Sequence, residues 1–142
     1  PPGSLVQPLF AGPLDIVGDV HGEIDALHTL LGRLGYDRQG HHNEGRHLVF
    51  VGDLTDRGPD SVATAQFVQQ LVEQGRGQCV LGNHDLHCLA AACGVRKPSP
   101  RDTLTDILQA PDADDLIDWL RHRPLAHHQR LAGRQYLMVQ ML

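Results

Sequence analysis

The sequence predicts an α/β fold whose first half is a largely parallel βαβαβ unit with flanking helices. Two observations carry this. Apolar, β-branched runs alternate three times with segments of helical periodicity, an order that implies right-handed crossovers onto one sheet. Each run also ends in a glycine-flanked polar string: Gly18-Asp19-Val20-His21-Gly22, then Gly52-Asp53-Leu54-Thr55-Asp56-Arg57-Gly58, then Gly82-Asn83-His84-Asp85.

Residues 1–13 are rich in Pro and Gly and read as an irregular arm ahead of a domain spanning 14–142. Leu14-Asp15-Ile16-Val17 is a short strand stopped by Gly18. Ile24, Leu27, Leu30, Leu31 and Leu34 recur at helical spacing between Glu23 and Leu34, and Gly35 ends that helix. Asp37 to Arg46 is a loop. His47-Leu48-Val49-Phe50-Val51 is a second strand, apolar enough to be buried on both faces. Pro59 and Asp60 sit near the next helix start. Val62, Ala65, Phe67, Val68, Leu71 and Val72 give it an apolar stripe, and Gly75 and Gly77 close it. Gln78-Cys79-Val80-Leu81 is the third strand, and Asp85 to Cys93 restarts as helix.

Beyond it the pattern changes. Arg96 to Arg101, with Pro98 and Pro100, reads as a loop. Asp112 is placed to cap a helix running to about His122, with Asp115 in a capping-box-like position and Pro124 as the stop. Tyr136 to Val139 is the final strand.

Composition excludes several classes. The hydrophobic fraction of 41% is ordinary, and the net charge of −5 favours neither a nucleic-acid polymer nor a membrane surface as partner. Bound cations would still let an acidic chain accept a phosphorylated substrate. Cys79, Cys88 and Cys93 are odd in number and lack Cys-x-x-Cys spacing, so a reducing compartment, the cytoplasm, is expected. No apolar stretch approaches transmembrane length.

The strings carry the chemistry. Ligands of open α/β sheets gather beyond the carboxyl ends of the strands, where all three strings fall. Asp19 and His21, an oxygen and a nitrogen two positions apart, suit Mn²⁺, Fe²⁺, Co²⁺ or Zn²⁺ better than Ca²⁺ or Mg²⁺. Asp53 offers two oxygens able to bridge two ions, and Asn83 a neutral oxygen. Two such ions polarise a phosphoryl group and activate water at neutral pH. His84 is the candidate acid for the leaving oxygen, Asp56 the carboxylate that orients it, and Arg57 the planar fork for phosphate oxygens. His87 reads as a helix-surface or substrate-rim residue. His28, His41, His42, His47 and His122 read as surface or boundary residues. Asp112, Asp114 and Asp115 complement a helix N-terminus, and Arg121 and Arg123 a C-terminus.

These strings resemble the first three motifs of the calcineurin-like metallophosphoesterases. The resemblance implies that family's sheet with flanking helices and two divalent ions, Mn²⁺ first among them. Asp19 and His21 would bind the first ion, Asp53 bridge, and Asn83 bind the second. His84 with Asp56 would be the acid, and Arg57 the phosphate ligand. Leu81-Gly82-Asn83-His84-Asp85-Leu86-His87, then Ala110 to Arg121 with Trp119, then Pro124-Leu125 are similar to the symmetrical bis(5'-nucleosyl)-tetraphosphatases. Those enzymes split diadenosine tetraphosphate into two ADP, and the Trp119 helix would belong to their helical insertion, about 94–125.

Two departures accompany the likeness. Asp56 is the residue of the serine/threonine protein phosphatases, at a position some tetraphosphatases fill otherwise. Gln140-Met141-Leu142 stands where the family continues with a His-Ala-Gly-like string and later a Gly-His string. The expectation is a complete first metal site, a second short of two histidines, and a sheet without the family's C-terminal half. A phosphomonoester or protein phosphatase on the same scaffold is the enzymatic alternative. A metal- or nucleotide-binding module with impaired catalysis is the other.

Overall fold

Three short apolar segments lie side by side and in the same direction at the centre of the computed structural model, which describes residues 5–95 and 104–140. They are β2 (Leu14–Val17), β3 (His47–Phe50) and β4 (Gly77–Cys79), following β1 (Val6–Pro8) in the chain. Helix α1 (Ile24–Arg33) joins β2 to β3, and α2 (Ser61–Glu73) joins β3 to β4. The register pairs Val17 with Phe50 and Phe50 with Cys79, so the three strand ends, and the strings beyond them, emerge together. Parallel pairing requires these helical crossovers, as the alternating sequence predicts.

Burial explains the composition of each element. Leu48, Val49 and Phe50 are wholly buried, and Leu48 and Phe50 share a core with Leu27 and Leu31 of α1 and Val68 and Leu71 of α2. Asp60 caps α2, its carboxylate accepting from Ala63 N at 2.9 Å. Helix α3 (Asn83–Ala92) begins inside the third string, two residues earlier than expected. A second cluster, Ala65, Cys88, Leu104, Ile107 and Leu116, joins α2 and α3 to α4 (Thr105–Leu108) and α5 (Ala113–Arg121).

The structure corrects four expectations. Residues 6–8 of the supposedly irregular arm form β1, which pairs in parallel with β5 (Ala126–Leu131), Val6 opposite Ala126. β5 itself has no counterpart in the sequence reading. It turns through Ala132 and Gly133, both at positive φ, into antiparallel β6 (Arg134–Met138), two residues ahead of the expected start. That backbone is a primed two-residue hairpin turn, whose usual Asn-Gly signature is absent here. Asp112 makes no side-chain cap on α5. Its carboxylate instead accepts from Gln66 Nε2 at 2.8 Å, and that of Asp115 from Gln69 Nε2 at 3.2 Å, tying α5 to α2. The loop expected over Arg96–Arg101 lies outside the described residues.

β4 stops at Cys79 because Leu81 N turns to the carbonyl of Pro124 at 2.9 Å. Gln78 adds a second tie: its amide donates to Pro8 O at 2.8 Å and accepts from Phe10 N at 2.9 Å. The two three-stranded sheets are thereby fastened along β4 and β1.

Candidate active site

Backbone contacts bring the three strings to one place. His21 N and Val20 N both donate to Asp53 O, at 2.8 and 3.2 Å, and Gly22 N donates to Leu54 O at 2.9 Å. The first string is thus zipped to the second. Gly52, at φ 92°, lets the second string meet the third: any β-carbon there would strike Gly82 N and Cα.

Backbone strain concentrates at this junction. His21, Asp53, Asp56 and Arg57 occupy the left-handed region, at φ of 50°, 52°, 73° and 79°. Each such residue costs about 1–2 kcal/mol, which packing elsewhere must offset. Among the described non-glycine residues, only Ala132 of the hairpin turn shares this conformation.

Asp85 offsets part of that cost. Its fully buried carboxylate accepts from Leu54 N, Thr55 N and Thr55 Oγ1 at 3.0, 3.2 and 3.0 Å, and from Gly82 N at 3.1 Å. One side chain therefore clamps the second string to the third. Burial pushes its carboxyl up to about 6, with the hydrogen bonds pulling the other way. From sequence, Asp85 is expected only as a helix start. Its place three residues past Gly82, where a carboxylate can reach back to the helix entrance, was the available signal.

The side chains converge accordingly. His21 Nδ1 is 3.2 Å from Thr55 O, so an Nδ1–H donates to that carbonyl and leaves the Nε2 lone pair free to bind. Nε2 lies 3.6 Å from both Asp19 Oδ2 and Asp53 Oδ2. Two atoms ligating one first-row ion lie about 3–3.6 Å apart at ordinary bond lengths. His21, Asp53 and His84 each place a ligand-capable atom within 4.8 Å of the others. A mixed nitrogen and carboxylate set of this kind fits a divalent transition metal.

Asp53 is almost wholly buried, and its Oδ1 accepts from His84 N at 2.9 Å. The Asn83 amide lies against the same carboxylate. With its NH₂ turned inward it is 3.2 and 3.1 Å from the two Asp53 oxygens and 3.0 Å from Gln140 Oε1. In that orientation the amide satisfies all three oxygens, and holding an ion would require its carbonyl to turn inward instead.

His84 Nδ1 lies 3.0 Å from Asp56 Oδ2, and the His84 ring stands edge-on to His21 at 4.8 Å. Arg57 is half exposed at the rim, its Nε 3.9 Å from Asp56 Oδ2. All seven residues singled out from sequence (Asp19, His21, Asp53, Asp56, Arg57, Asn83 and His84) therefore share one locality. His87 stacks edge-on against His84 at 5.6 Å. His127 is buried elsewhere, its Nδ1 3.3 Å from Gln7 O.

Gln140, which stands where the resemblance has the family continue with a His-Ala-Gly-like string, also reaches this locality. Its Oε1 accepts from Asn83 N at 2.6 Å, and its Nε2 donates to Asp19 Oδ1 at 3.2 Å. It stands 57 residues from one partner and 121 from the other, and no local pattern spans such distances.

Residues 12–139 match the model of the calcineurin-like phosphoesterase family. The chain belongs to the calcineurin-like phosphoesterases. Its matched relatives include symmetrical bis(5'-nucleosyl)-tetraphosphatases: that of Bordetella pertussis is 61% identical over 90% of this chain and 43% of its own length. That of Ralstonia nicotianae is 53% identical over 80% of this chain and 38% of its own length. The crystal structure of a candidate diadenosine tetraphosphatase superposes with a TM-score of 0.64 at 29% identity, covering 95% of this chain and 60% of that one. This calcineurin-like chain therefore spans about two fifths of the curated relatives it matches.

Proposed function

We propose that this chain carries the catalytic strings of a metal-dependent hydrolase that cleaves the polyphosphate bridge of diadenosine tetraphosphate symmetrically, giving two ADP. The observation that carries the reading is the His84–Asp56 pair beside the Asp19, His21 and Asp53 donors. The relatives' shared name points to the substrate.

Asp19 and His21 would hold one divalent ion, with Asp53 between it and a second that Asn83 holds; Mn²⁺ is the first choice, with Co²⁺, Fe²⁺ or Zn²⁺ as alternatives. Bound there, the ions supply positive charge to the phosphoryl oxygens and lower the pKa of water. The chain's own residues do the rest. The Thr55 carbonyl fixes the His21 tautomer, so its Nε2 stays available. Arg57 reaches phosphate oxygens from the rim with its planar fork. Asp56 holds the Nδ1–H of His84, which turns Nε2 toward the leaving group. From there His84 gives its proton to the departing ADP oxygen.

No described helix is long and apolar enough to cross a membrane. A cytoplasmic site of action is part of the proposal, and it rests on the free thiols of Cys79, Cys88 and Cys93.

The test incubates the chain with Mn²⁺ and diadenosine tetraphosphate, beside an Asp53→Asn variant, and separates the products by chromatography. ADP as sole product, lost in the variant, supports the reading. ATP with AMP would overturn the symmetrical cleavage. Phosphate release from p-nitrophenyl phosphate without tetraphosphate cleavage would favour a phosphomonoesterase. Mn²⁺ binding without turnover of either would favour a binding module.

A further inference from the structure

We propose that His87 binds the phosphate of the leaving group, and so sets a preference of this site for a phosphoanhydride over a simple phosphate ester. The inference rests on the hydrolase reading above and extends it to the far side of the bond that breaks.

His87 follows His84 by three residues on α3, a spacing that puts both side chains on one face of the helix. Their rings meet edge-on with centroids 5.6 Å apart, and His84 meets His21 in the same manner at 4.8 Å. The three imidazoles thus form a chain of contacts from the candidate metal donor His21, through the candidate acid His84, to His87. His87 is half-buried, and among the described residues neither of its ring nitrogens has a hydrogen-bond partner. A polar ring beside the acid, with its nitrogens uncommitted, is available to a ligand.

The chemistry of the two bond types says which ligand. His84 keeps Nδ1 on Asp56 and has only Nε2 for the leaving oxygen. In an anhydride that oxygen belongs to a second phosphate, whose non-bridging oxygens gain charge as the bond to the attacked phosphorus breaks. In a phosphomonoester it is attached to carbon, and those oxygens do not exist. His84 has no nitrogen left for them. His87, one ring further on, carries an N–H in either protonation state. A hydrogen bond from it strengthens as the charge develops, which is the condition for speeding the reaction.

The experiment measures steady-state kinetics with Mn²⁺ on diadenosine tetraphosphate and on p-nitrophenyl phosphate, for the unaltered chain, His87→Phe and His87→Gln. Phenylalanine keeps a ring against His84 and removes the donor; glutamine removes the ring and keeps a donor. Thermal unfolding checks that all three are folded. His87→Phe is expected to lower kcat/KM for the tetraphosphate about tenfold, and His87→Gln to recover most of that loss. Cleavage of the p-nitrophenyl ester should change far less in either variant, and where the ester is not a substrate the Phe–Gln contrast decides alone. Full activity of His87→Phe would overturn the inference. So would a greater loss in His87→Gln than in His87→Phe, or an equal loss on both substrates, either of which would make His87 a support for the His84 ring. In each of these cases ADP formation by the unaltered chain leaves the hydrolase reading intact. Failure of the unaltered chain to cleave the tetraphosphate would overturn that reading and this inference with it.

Discussion

Asp56 Oδ2 sits 3.0 Å from His84 Nδ1, with the Asp56 side chain wholly buried and that of His84 17% exposed. The buried carboxylate fixes the Nδ1 edge of the imidazole, and the His21 and His87 rings pack beside it. Asp56→Asn keeps the shape but presents an uncharged amide to the imidazole. The expected result is a fall in kcat of about a hundredfold or more with little change in KM, read by steady-state kinetics on diadenosine tetraphosphate. An equal rise in KM with kcat preserved would contradict the assignment of His84 as the acid.

Arg57 is half exposed and carries little of the core, so its substitution should act on substrate rather than on folding. Arg57→Lys keeps the charge and loses the fork. It is expected to raise KM by about tenfold while the urea midpoint stays put.

Asp53 accepts from His84 N through Oδ1, a bond that an asparagine oxygen can also accept. Asp53→Asn should therefore unfold at nearly the same temperature as the unaltered chain without metal. The stabilisation that added Mn²⁺ gives the unaltered chain should vanish in the variant. A thermal scan with and without Mn²⁺ separates these outcomes.

Removing the carboxylate of Asp85 leaves Leu54 N, Thr55 N, Thr55 Oγ1 and Gly82 N without their acceptor inside the protein. Asp85→Ala is expected to cost about 2–4 kcal/mol in urea denaturation, although Asp85 belongs to no hydrophobic cluster. A cost near zero would show that the strings hold together without this clamp.

Asp15, on β2, supplies a pH signature outside the strings. Hydrogen bonds from the Arg46 guanidinium, then from the Tyr36 hydroxyl, hold its carboxyl below the usual carboxylate range. A depressed acid stabilises the fold above its unfolded pKa of 3.8, and that contribution is lost as pH falls through the folded value. Asp15→Asn should lower stability at about pH 6 and make little difference at about pH 2, measured by urea midpoints. The opposite ordering would contradict the sign of the shift.

Much of the site was legible because its signals are local. A β-branched run, a glycine and a polar string report strand, turn and ligand within ten residues. The parallel order of β2, β3 and β4 then follows from the intervening helices, and it carries Asp19, Asp53 and Asn83 to one end of the sheet. By contrast, Ala126–Leu131 holds two histidines and an arginine and shows no clean alternation. Its strand state depends on Val6–Pro8 on one side and on Arg134–Met138 on the other.

The sequence by itself determined the α/β class, the three strings, and the residues proposed to carry their chemistry. All of these follow from periodicity and side-chain type along short stretches. Only the tertiary structure decided that Asp85 clamps two strings together, that Asp112 binds Gln66 instead of capping its own helix, and that Gln140 reaches Asp19 and Asn83. Each of these is a hydrogen bond to a group 30 or more residues away. A side chain's partner across such a distance is set by which backbone groups the folded chain leaves unpaired nearby, and a linear sequence does not contain that neighbourhood.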